Sequence, residues 1–144
     1  INMARKLVTK LSNRPCFTLT TSDTLKTASE KLQKHNVGVM PVLNEKDKSV
    51  IGIISERDLA RHICKDEFKC ESPVSEIMTK NLISCNLNTS VTELMEIISS
   101  HKFRHIPIIE EKKLLGIVSI GDVVNHIIDQ YKDENQQLRD FINQ

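Results

Sequence analysis

Apolar residues change spacing along this chain, and each change marks an element. Residues 16–19 read as a short strand. Leu25, Ala28 and Leu32 then recur at helical spacing, with Ser22 or Asp23 placed to cap the helix by accepting bonds from its free backbone amides. Residues 39–43 read as an apolar strand, 44–49 as a polar turn, and 50–54 as a β-branched strand containing Gly52, a pattern that predicts a hairpin. Ser55 follows as the cap of a second helix running through Leu59 and Ile63.

The same order then returns. Aligning residues 17–63 on 83–127, with a two-residue deletion near position 48, pairs Glu30 with Glu96, His35 with His101, Pro41 with Pro107 and Gly52 with Gly116. It also pairs Ser55 with Ser119, Asp58 with Asp122 and His62 with His126. The second copy predicts a strand at 82–85, a helix opened by Thr89 or Ser90, strands at 105–109 and 114–118, and a helix from Ile120. One β-α-β-β-α unit cannot bury its apolar sheet face alone, so the copies are expected to pair around a shared core. The expected fold class is α+β, with the two units packed sheet to sheet about a pseudo-twofold axis. Their expected bounds are 1–72, including an N-terminal segment and linker, and 73–144, including a long C-terminal helix. In that helix the apolar stripe continues through Ile127, Ile128, Tyr131, Leu138, Phe141 and Ile142, and needs either the N-terminal segment or another subunit against it.

Composition removes several function classes. Apolar residues make up 39% and charged residues 27% of 144, a globular balance, and no apolar run approaches a membrane span. The formal charge of +1 supplies no field for nucleic acid or anionic lipid, and one Tyr, four Phe and no Trp make no platform for single strands. Cys16, Cys64, Cys70 and Cys85 include no C-x-x-C pair, which fits a reduced cytoplasmic setting. Cys16 and Cys85 are expected as buried thiols, Cys64 and Cys70 as the more reactive pair. The opening Ile1-Asn2-Met3 lacks the order of a secretory signal. His101-x-x-x-His105 has metal-ligand spacing, but the helix should end before Phe103, so no metal site is expected. His62 and Cys64 lie two residues apart, off a common helix face, so no nucleophile and base pair up and no catalytic residue is assigned.

Two blocks carry a resemblance. Val39-Met40-Pro41-Val42 with Gly52-Ile53-Ile54-Ser55-Glu56-Arg57-Asp58, and His105-Ile106-Pro107-Ile108 with Gly116-Ile117-Val118-Ser119-Ile120-Gly121-Asp122, resemble the tandem cystathionine-β-synthase (CBS) domain pair, or Bateman module. The resemblance implies a regulatory, non-enzymatic module with no required cofactor. Its regulatory ligand would be an adenosine nucleotide such as AMP, ADP or ATP, with NAD(H) and S-adenosylmethionine also in the class, bound between the repeats. It implies that Asp58 and Asp122 accept bonds from ribose hydroxyls, and that Ser55, Ser119 and the helix start at Ile120 hold sugar or phosphate oxygens. Gly38, Val39 and Met40 would line the base, and Arg57, Arg104 and His105 would face phosphate.

The residue types suit those roles, since an acceptor-only carboxylate matches a vicinal diol and free helix amides attract anions. Ser55 and Ser119 as plain caps, with Asp58 and Asp122 answering the helix dipole, is the alternative reading of the same residues. Gly121 stands where the first copy has Arg57, so the Asp58 site is expected to be the stronger. The expected partners are a second copy of the chain and an unidentified regulated protein. The competing reading is a ligand-free dimerisation scaffold.

Overall fold

The computed structural model describes residues 3–143, with side chains from Leu7 onward; Ile1 and Asn2, part of the segment read for a signal, lie outside the described residues. Helix α1 (Met3–Ser12) precedes the first repeat, which runs β1 (Leu19–Thr20), α2 (Leu25–His35), β2 (Val39–Leu43), β3 (Val50–Ser55) and α3 (Glu56–Ile63). A 3-10 turn at Val74–Glu76 leads to α4 (Val91–His101), β4 (His105–Glu110), β5 (Lys113–Ser119) and the 23-residue α5 (Ile120–Ile142). One sheet has the order β1-β2-β3 and the other is the hairpin β4-β5. The hairpins share one register: Val39 pairs with Ser55 and Pro41 with Ile53, as His105 pairs with Ser119 and Pro107 with Ile117.

The leading strands are shorter than their apolar runs. β1 pairs only Leu19 and Thr20 with β2, and of 82–85 only Cys85 reaches the sheet, bridging to Ile108. Residues before β1 are engaged elsewhere: the Phe17 ring stacks on His35 with centroids 3.6 Å apart, and Arg14 reaches across to the second repeat. The caps of α2 and α4 are Thr24 and Ser90, whose hydroxyls accept from Thr27 N and Glu93 N. Asp23 and Thr89, one residue earlier, instead close a turn by accepting from Thr20 N and Asn86 N at 2.9 Å.

The expected shared core is two cores. Leu19, Leu25, Ala28, Leu32, Met40, Val42 and Ile54 are buried with Val74 of the linker, and Phe68, Ile77 and Met78 pack against them. Cys85, Leu94, Ile106, Ile108, Val118 and Val123 are buried with Leu7, Val8 and Leu11 of α1. Each β-α-β-β-α unit is thus roofed by a segment outside it, the linker over the first and α1 over the second. The paired glycines make room for those roofs. A methyl on Gly52 would lie 2.4 Å from Met78 Sδ, and one on Gly116 would lie 3.0 Å from the Leu11 carbonyl oxygen. The repeats meet through the hairpins: Val50 N donates to Lys112 O at 3.3 Å, and a methyl on Gly38 would lie 3.9 Å from His105 Cε1.

Cys85 is buried, and burial pushes its thiol up to about 12, while Cys16 is partly buried and Cys64 and Cys70 are exposed. Among the described residues no helix is long and apolar enough to cross a membrane.

Candidate functional site

Each second helix opens with the same four-residue arrangement. Ser55 Oγ accepts from Asp58 N at 3.1 Å while Asp58 Oδ2 accepts from Ser55 N at 2.9 Å; Ser119 and Asp122 repeat this at 3.0 and 2.8 Å. These are reciprocal capping boxes, so the capping reading of Ser-x-x-Asp holds in both repeats. The residue before each hairpin is stapled to the helix as well. Gly38 O accepts from Glu56 N and Arg104 O from Ile120 N, both at 2.9 Å. Those carbonyls are therefore already engaged. Met40 is fully buried in the first core and Val39 is buried too, so the Met40 side chain belongs to the core and not to a cleft lining.

The two carboxylates differ sharply beyond the cap. Asp58 Oδ1 accepts no bond from the described residues. Asp122 is gripped by Arg14, whose Nη1 and Nη2 donate to Oδ1 and Oδ2 at 2.9 Å each, while Nη2 also donates to Ile117 O at 2.8 Å. Burial works against the charge on Asp122, but the bonds from Arg14 and Ser119 outweigh it and hold the carboxyl below the usual carboxylate range.

Arg57 and Arg104 are exposed at the two helix starts, as is Ile120. His105 is half-buried, and burial lowers its pKa below the ordinary histidine value against the pull of Asp122 and Glu56 and with the push of Arg104. Because the unfolded chain takes up the His105 proton first, stability is fully present above about pH 6.5 and falls as pH drops toward the lowered folded value. The thermal midpoint of the protein is expected to decline from pH 7 to 5, and His105→Gln to flatten that decline; equal slopes in scanning fluorimetry would contradict this.

The concave surface beside Asp58 is an open groove of about 250 Å³ lined by Asp58, Arg61, His62, Lys65, Glu76 and Ile77. Arg61 and Lys65 were not among the expected site residues. The spacing of Arg61 from Asp58, three residues along α3, is the signal that places it on the same face, while Lys65 lies just past the helix end. No group of three or more His, Cys, Asp or Glu among the described residues could hold a metal ion.

The family model described as "CBS domain" matches twice, over residues 8–65 and 74–129. The CBS domain-containing protein CBSX3, mitochondrial, of Arabidopsis thaliana is 36% identical over 127 residues, which cover 85% of this chain and 62% of that protein's length. A CBS-domain protein from Agrobacterium tumefaciens superposes with a TM-score of 0.76 at 34% identity, over 85% of this chain and 91% of the other. The CBS domain pair of protein MJ0100, solved with 5′-methylthioadenosine and S-adenosyl-L-methionine, shares the fold at a TM-score of 0.74 and 22% identity, over 83% and 96% of the two chains. Two repeats with one register and one Ser-x-x-Asp cap, each matched by the same family model, make this chain a member of the CBS-domain family, as a tandem pair of CBS domains.

Proposed function

We propose that this CBS pair is a non-catalytic sensor that binds an adenosine nucleotide on Asp58 and relays its occupancy to a regulated protein. The carrying observation is the Asp58 carboxylate, fixed in direction by its capping box yet with Oδ1 unengaged by the described residues, at the edge of an open groove. A ribose diol needs such an acceptor. Arg57, exposed on the first turn of α3, and Arg61 and Lys65 of the groove supply positive charge for phosphate; Arg104 and His105, expected to face phosphate, do not line this groove. A CBS pair of the same fold carries 5′-methylthioadenosine and S-adenosyl-L-methionine, which supports the ligand class.

The groove's 250 Å³ falls short of the roughly 300 to 1,000 Å³ of ordinary ligand sites, and a second groove of about 630 Å³ shares His62, Lys65 and Glu76 with it. The units 1–72 and 73–144 act in this reading as one module. The exposed apolar stripe of α5 is assigned to a homodimer contact, C₂-symmetric by default. Free thiols at all four cysteines support a reducing compartment such as the cytoplasm.

Thermal-shift screening followed by titration calorimetry against AMP, ADP, ATP, NAD(H) and S-adenosylmethionine tests the proposal. Saturable binding of at least one is expected. No shift and no heat with any of them would replace this reading with the ligand-free scaffold, which the exposed α5 stripe also suits.

A further inference from the structure

The two repeats present the same carboxylate in the same capping box, but the chain itself occupies one of them. A vicinal diol binds a carboxylate through its acceptor oxygens, and at Asp122 both are already taken by one guanidinium at 2.9 Å. The second arm of that guanidinium also bonds Ile117 O at 2.8 Å, so Arg14 has a three-point seat on the second repeat. A planar fork on a carboxylate is among the stronger polar contacts a protein makes, and a sugar diol would have to compete with the guanidinium at both oxygens.

Arg14 is held in place from behind as well. Leu11 is buried in the core of the second repeat, its carbonyl packs on Gly116, and Arg14 N donates back to that same carbonyl at 3.1 Å. The seat is therefore reached from a fixed helix end, three residues past a core side chain. Ahead of the second repeat the position aligned with Arg14 is Lys80, three residues before Ile83 as Arg14 is three before Phe17. No ion pair joins Lys80 to Asp58 among the described residues, and an ammonium has no fork with which to cover both oxygens.

We propose that Arg14 is a built-in stopper of the second cleft: it substitutes for the ligand on Asp122, so the pair takes one nucleotide per chain, on Asp58, and admits a second only when Arg14 leaves. This rests on the nucleotide reading of the Asp58 cleft. It adds that the N-terminal segment contributes to the asymmetry between the two sites, beside the exchange of Arg57 for Gly121 between the repeats. The Arg14 side chain is 47% exposed, so it can be displaced without unfolding the core that anchors it.

Calorimetric titration with AMP, ATP and S-adenosylmethionine of wild type, Arg14→Ala, Arg14→Lys and the double variant Arg14→Ala/Asp122→Ala decides it. Circular dichroism first establishes that each is folded. Wild type is expected to bind one equivalent per chain. Arg14→Ala should bind two, the second tighter by about tenfold or more than any second event in wild type. Arg14→Lys keeps the charge without the fork and should fall between them, and the double variant should return to one. Two equivalents in wild type, or one in Arg14→Ala, overturns the stopper and leaves the nucleotide reading standing. No binding by wild type or Arg14→Ala with any of the three ligands overturns both.

Discussion

Asp58→Ala is expected to lower affinity for an adenosine nucleotide about tenfold to a hundredfold, and Asp122→Ala to leave it within about twofold of wild type. The range follows from hydrogen bonds to a charged acceptor, worth roughly 1.5 to 3 kcal/mol when the acceptor is removed. The two substitutions control for each other in one direction. Each deletes the N3 half of a capping box, Asp58 at Ser55 and Asp122 at Ser119, and Asp122→Ala also breaks the Arg14 ion pair, so Asp122→Ala costs at least as much stability as Asp58→Ala. Only Asp58 has an oxygen free for a ligand, because Arg14 fills the other site. A general loss of folding would affect binding in both variants, whereas loss of the ribose contact affects one. Titration calorimetry at matched temperature separates these. Equal affinities for wild type and Asp58→Ala would remove Asp58 from the site.

What the sequence made legible lay within one repeat, apart from the short leading strands and the Thr24 cap of α2. The hairpins, the helix starts at Ser55 and Ser119, and the correspondence of Asp58 with Asp122 depend on residues a few positions apart, and periodicity and turn chemistry report such separations directly. The neighbours of the site were not legible in that way. Arg14 lies 108 residues from Asp122, and nothing local to an Arg-Pro-Cys stretch announces a partner in the other repeat. The shared core failed for a related reason: an apolar sheet face says that something covers it, not what. Leu7, Val8 and Leu11 cover one sheet, and Val74 with Ile77 and Met78 the other, so the roofs come from segments that the repeat alignment leaves out. Met40 shows the limit at a single residue. Its place before the strand proline makes it a neighbour of the site in sequence, while alternation along β2 turns its side chain into the core.

The double substitution Val8→Ala/Leu11→Ala is expected to destabilise the protein by about 4 kcal/mol or more, whereas truncation after Gln130 is expected to leave the dilute protein's thermal midpoint nearly unchanged. The first figure combines about 2 to 5 kcal/mol for truncating a buried leucine with roughly 0.8 kcal/mol for each further buried methyl lost at Val8. Against a typical total of about 5 to 15 kcal/mol, that lowers the midpoint by roughly 10 °C. The C-terminal side chains have no such role. Leu138, Phe141 and Ile142 are 59%, 75% and 75% exposed, so cutting them away removes little that the folded chain buries. If the stripe instead serves a dimer contact, its loss appears as a changed concentration dependence. The wild-type midpoint should rise with protein concentration and the truncated one should not, because association stabilises by mass action. Scanning fluorimetry over a concentration series, with light scattering on the same samples, reads both effects. Should the truncation lower the dilute midpoint as far as the α1 substitutions do, the stripe packs within the chain and the dimer assignment fails; a wild-type monomer at tens of micromolar would end it as well.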